Sequence, residues 1–190
     1  MRHPFETAPV GKRGAVFVPL FVLTLVVMVV MNGVGAPLST GAAPLGIISF
    51  EFAGDVSTAQ AILDSWDMRA RAHAGFSLGF DFVFLVLYST AIAYACAWIA
   101  SGLRDNARSL AAFGRLLAWG QWLAALLDGV ENTALWTILA NGPSAPWPQV
   151  AWWCAAVKFT LVILGLIYVI LGGVWVLGYA TRRRWKESAD

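Results

Sequence analysis

Residues 116–139, LLAWGQWLAALLDGVENTALWTIL, form an apolar run long enough to cross a bilayer, yet Asp128, Glu131 and Asn132 lie inside it. No other stretch restricts the fold as much. A central Asp costs about 2.5–3.5 kcal/mol on membrane-insertion scales. The spacing i, i+3, i+4 puts all three polar side chains on one face of a helix. Gln121, seven residues before Asp128, makes that face polar for about three turns. Such a helix needs neighbours that bring counter-charges and hydrogen-bond donors to it.

The rest of the chain supplies such neighbours. Of 190 residues, 59% are hydrophobic and only 13% charged, whereas soluble domains carry about a quarter charged residues. The length suits one compact unit. Residues 15–32, 76–99, 114–139 and 150–178 are each read as a membrane span. The fold class expected is all-α: a polytopic four-transmembrane-helix bundle with a short amphipathic helix in the outer loop. Pro19 is expected in the first turn of span one, where proline is tolerated. A cleaved signal peptide is the rival reading for this span. Its apolar run is too long for that, and Pro37 would follow the cut after Ala36.

Between spans one and two, residues 33–75 are expected to form the outer loop. Ser57, Thr58, Ala59 and Gln60 read as a capping box opening a helix over about 57–72. Ile62, Trp66 and Ala70 would share its buried face, and Asp67 and Arg71 would pair on another. Glu51 lies between Phe50 and Phe52 in an apolar patch too short to span. Gly75 with Gly79, and Ala91 with Ala95, have the spacing that lets helices approach closely. Cys96 and Cys154 are expected at opposite ends of their helices, hence unbridged. The two halves of the chain show no repeat.

Basic residues set the expected orientation. The N-terminal segment 1–14, the link between spans two and three with Arg115, and the tail 179–190 together hold ten Lys and Arg. The opposite connections hold only Arg69 and Arg71. The positive-inside rule then puts both termini in the cytoplasm, as in a bacterial-type cytoplasmic membrane. Trp136, Trp147, Trp152 and Trp153 fall at the outer interface as an aromatic belt.

Orientation also sets depth. Asp81, Glu131 and Lys158 are expected at depths within about 5 Å of one another, at 1.5 Å rise per residue, with Asp128 one turn deeper. Ionisable residues at such depth usually face the bundle interior and pair there. The candidate ligand- or ion-binding residues are therefore Asp128, Glu131, Asn132, Asp81, Lys158, Gln121, Tyr88 and Glu51. Lys158 can neutralise one acid. The others are to be protonated, shared with amides and Tyr88, or filled by a cation.

Three functions follow from this constellation. The first is an outward-facing polar cluster that binds a cation, a proton or a small polar or lipid headgroup. The second is a membrane enzyme acting on a lipid-like substrate by carboxylate acid/base chemistry. The third is an accessory subunit whose polar layer only fixes helix register. No Walker A or dinucleotide glycine pattern and no nucleophile elbow occurs. With only His3, in the N-terminal tail, and His73, at a membrane edge, no haem, nucleotide or His-rich metal site is expected in the bundle. The partners expected are membrane lipid and a cation or small polar ligand, with a homo-oligomer left open. No nucleic acid is expected, and the basic cluster at 182–186 reads as an anchor to anionic lipid.

Overall fold

The computed structural model describes residues 3–7, 9–103 and 107–187, with side chains as far as 176. Every regular element among them is helical: α1 (Arg13–Gly35), α2 (Ile47–Glu51), α3 (Val56–Ser65), α4 (Met68–Leu103), α5 (Arg108–Asn141) and α6 (Trp147–Glu187). Four of these, α1, α4, α5 and α6, are long and apolar enough to cross a membrane. Short links make α4, α5 and α6 antiparallel neighbours, with α5 packed against both others and α1 laid along α4. The tail sequence 182–186 and the link residues Arg104 and Asp105 lie outside the described side chains.

α1 leaves Val18, Val22, Val26 and Val29 exposed on the side away from α4. An apolar stripe of this kind is what a bilayer covers, since lipid chains are as apolar as the side chains themselves. Because α1 begins at Arg13, Pro19 falls in its second turn, not its first. Of the expected pair, Gly75 makes a close approach and Gly79 does not: a Cβ on Gly75 would lie 3.3 Å from the Trp136 ring. A Cβ on Gly79 would meet nothing within 4 Å, whereas one on Gly165 would lie 2.5 Å from the Gln121 amide nitrogen and one on Gly114 would overlap the Tyr168 ring. The tightest contacts therefore run between α6 and its neighbours.

The loop covers one end of the bundle. Phe50, Ile62 and Trp66 pack with Leu38, Leu135 and Ile138 into one buried cluster. Here the expected single helix over 57–72 is corrected: it breaks at Trp66–Asp67, and its second half is the first turn of α4. Extended backbone at Trp66 turns its indole inward, where Nε1 donates to the Leu38 carbonyl at 2.9 Å. The Asp67 carboxylate accepts from the Ala70 amide at 2.7 Å and starts α4. Arg71 donates to the carbonyls of Leu63 at 2.7 Å and Trp66 at 3.2 Å, closing α3. Asp67 and Arg71 thus cap two helix ends instead of pairing with each other.

The start of α3 differs as well. Its N-cap is Asp55, which accepts from the Thr58 amide at 2.8 Å and from the hydroxyls of Ser57 and Thr58. These donors hold the Asp55 carboxyl down at about 2. Gln60 closes no capping box and donates to Asp64 instead.

At the opposite end the N-terminal segment folds back over the bundle. His3, expected in a free tail, is fully buried among Phe5, Trp119 and Trp122, with ring centroids 4.9–5.0 Å away. Burial pushes its imidazole below the ordinary histidine range, against a weaker upward pull from Glu6. Arg13 donates to Ser101 and to the Glu6 carbonyl, which ties this cap to α4. His73 contacts the Val34 carbonyl at 2.8 Å through Nδ1 and joins the end of α1 to α4.

Candidate functional site

Three helices and the loop converge on Lys158. Its Nζ donates to Asp128 Oδ1 and to Glu131 Oε1, both at 2.9 Å. One helical turn separates these acids on α5, so a single ammonium reaches both. Glu51, at the end of α2, brings Oε2 to 3.7 Å from the same nitrogen. On the far side of Asp128, the Tyr88 hydroxyl of α4 donates to Oδ2 at 2.9 Å. Asn132 Nδ2 donates to Asp81 Oδ2 at 2.5 Å and links the half-buried edge of the group. Below Lys158 lies the Phe159 ring, its centroid 4.8 Å from Nζ. Glu131 is 0% exposed, Lys158 6% and Glu51 9%.

The chain matches no family model, no curated protein and no solved structure. The site must therefore be interpreted from its own chemistry.

The cluster is not electrically closed. Three carboxyls lie within 3.7 Å of one ammonium and Asp81 joins them through Asn132, so full ionisation would leave three negative charges unmatched. Burying an uncompensated ion costs several kcal/mol even after relaxation. Glu51 Oε2 and Glu131 Oε2 are both buried and accept no hydrogen bond. A proton on either carboxyl would supply a donor that the pair lacks. Glu51 lies outside the spanning helices, and burial pushes its carboxyl above the ordinary glutamate range, with Lys158 opposing and Asp128 adding to the rise. Among the described residues, no group of three or more His, Cys, Asp or Glu is placed to hold a metal ion.

Seven of the eight expected residues meet here. Gln121 does not. Its Nε2 donates to the Leu161 carbonyl at 2.8 Å, and seven residues of α5 put it about 10 Å from Asp128 along the axis. It braces α5 against α6. Cys96 and Cys154 are both free. Cys96 is buried and directs Sγ toward the Gly165 carbonyl at 3.7 Å. The aromatic contacts beside the site were not anticipated. Phe52 stacks on Phe159 at 5.7 Å and meets Trp152 edge-on at 6.3 Å. The available signal was adjacency, since Phe52 follows Glu51 and Phe159 follows Lys158.

Proposed function

We propose that this chain is an integral membrane protein, with both termini cytoplasmic, whose Lys158 cluster is a proton-binding site in the outer half of the bilayer. One observation carries the reading: three buried carboxyls lie within 3.7 Å of one ammonium, and two of their oxygens lack a donor. Such a group binds at least one proton at neutral pH, because desolvation and like charge both disfavour the fully ionised state. Lys158, anchored between Asp128 and Glu131, holds two acids as carboxylates. The Glu51–Glu131 pair then shares the exchangeable proton. A small cation would compete for the same charge deficit.

Thermal unfolding in detergent, from about pH 5 to about pH 9, tests this through proton linkage. Na⁺, Mg²⁺ or Ca²⁺ is titrated at each point. A ligand bound only by the folded state adds RT ln(1 + [L]/Kd), about 2.7 kcal/mol at hundredfold excess. The parent should lose stability as pH rises, and added cation should restore part of it. A parent whose curve is flat, and matched by Glu51→Gln, would reduce the cluster to a packing layer.

A further inference from the structure

One member of the cluster is held differently from the others. Asp81, Tyr88, Asp128, Glu131 and Lys158 sit on spanning helices, whereas Glu51 ends a five-residue helix in the loop. Glycines bracket that helix: Gly46 at φ 61 and Gly54 at φ 74, angles that side-chain-bearing residues rarely adopt. The segment is anchored on both sides of Glu51 by small contacts with the core. Phe50 is fully buried and packs edge-on against Trp66 at 5.1 Å. Beyond Glu51, Ala53 is buried in the same cluster as Phe50. Phe52 is partly exposed, and the backbone is fixed by two bonds, Phe52 N–H to Ile48 O at 3.1 Å and Ala53 N–H to Phe50 O at 3.3 Å. Gly54 rests on the Trp152 ring. Glu51 Oε2 accepts no hydrogen bond.

We propose that residues 51–54 form a strap over the Lys158 cluster, pivoting at Gly54, that lifts when Glu51 loses its proton and so opens the site to the outside. The inference rests on the proton-binding reading above. While protonated, Glu51 adds no charge and can hydrogen-bond to Glu131. Once ionised, it is a buried charge that the Lys158 ammonium at 3.7 Å offsets only in part, because that ammonium already donates to Asp128 and Glu131. Asp81 on α4 adds repulsion at longer range. From α3, the neighbours are the buried Ala59, Ile62 and Leu63, and Asp64 is engaged by Gln60. The cost of burying that charge therefore falls on the one member of the cluster carried outside the long helices, on a short segment bracketed by glycines. The direction agrees with burial raising Glu51: the closed strap binds the proton more tightly than the open one, so rising pH favours opening.

Hydrogen exchange on the full chain in detergent tests the strap. Rates at the Phe52 and Ala53 amides are divided by intrinsic rates and followed from about pH 5 to about pH 9, where one linked proton changes opening by up to about tenfold per pH unit. The parent should show that slope, and Glu51→Gln should flatten it. Phe52→Ala, which removes the stacking on Phe159 and leaves every carboxyl in place, should raise opening at all pH values and keep the slope. A flat parent, an unchanged slope in Glu51→Gln, or a slope lost in Phe52→Ala would each overturn the proposal. The infrared band of protonated carboxyl in the same samples separates the two claims. If it titrates while the amides stay flat, only the strap is overturned. If it is missing throughout, the proton-binding reading falls as well.

Discussion

Replacing Lys158 with Met removes the only ammonium in the cluster and keeps most of the side-chain volume. Two hydrogen bonds of 2.9 Å disappear, along with the contact to the Phe159 ring at 4.8 Å. Asp128 keeps the Tyr88 hydroxyl as a donor. Glu131 keeps none of its present donors, since Oε2 already lacks one. A buried carboxylate stripped of its partner costs about 3–5 kcal/mol, which lowers Tm by on the order of 10 °C for a chain of this size. Melting in detergent at neutral pH, followed by tryptophan fluorescence, measures the loss. The asymmetry makes the test sharper. Adding Glu131→Gln should recover more than adding Asp128→Asn, because Tyr88 still serves Asp128. Acid should also narrow the gap to the parent, as the stranded carboxyls take up protons. If Lys158→Met melts like the parent, or Asp128→Asn is the better rescue, the assigned contacts are not the ones that matter.

Other predictions follow from single contacts. Glu51 is raised from an ordinary value of 4.5, so its contribution to stability is full below that value and is lost as pH rises through the folded value; Glu51→Gln should flatten that decline in a pH series of melts. Asp55 is lowered from 3.8 to about 2, so its contribution is present above 3.8 and lost as pH falls through about 2; Asp55→Ala should melt earlier at neutral pH and converge with the parent in strong acid. Gly165→Ala would press a methyl onto Gln121 and Ile92 and should cost about 1–3 kcal/mol as overpacking. Gly79→Ala meets open space and should gain about 0.5–1 kcal/mol of helix stability, read from the same melts.

The spans and the polar face of α5 were legible because both depend on local rules, apolar length and helical period. Depth matching alone brought Lys158 and Asp81 to that face, and the contacts of both with α5 residues agree. Gln121 misled because it shares the face but lies two turns away, where α6 offers it a carbonyl. The loop was less legible. Ile62, Trp66 and Ala70 form a continuous helical stripe in sequence, and nothing local announces that Trp66 will donate to Leu38, distant in sequence, and break it. The burial of His3 depends likewise on an aromatic box assembled from α5 and Phe5. Glu51 could be nominated as a polar residue in an apolar patch, but its approach to Lys158 depends on how the loop folds back over the bundle.

The most direct test of the central claim is the infrared band of protonated carboxyl in detergent-solubilised protein at neutral pH, compared across the parent, Glu51→Gln, Glu131→Gln and Lys158→Met. A cluster that stores a proton between Glu51 and Glu131 predicts a band in the parent that falls with rising pH and weakens in both glutamine variants. In Lys158→Met the band should grow, since a lost ammonium is replaced by a further proton. A parent with no such band at neutral pH, or one unchanged by all three substitutions, would contradict the claim that this cluster binds a proton.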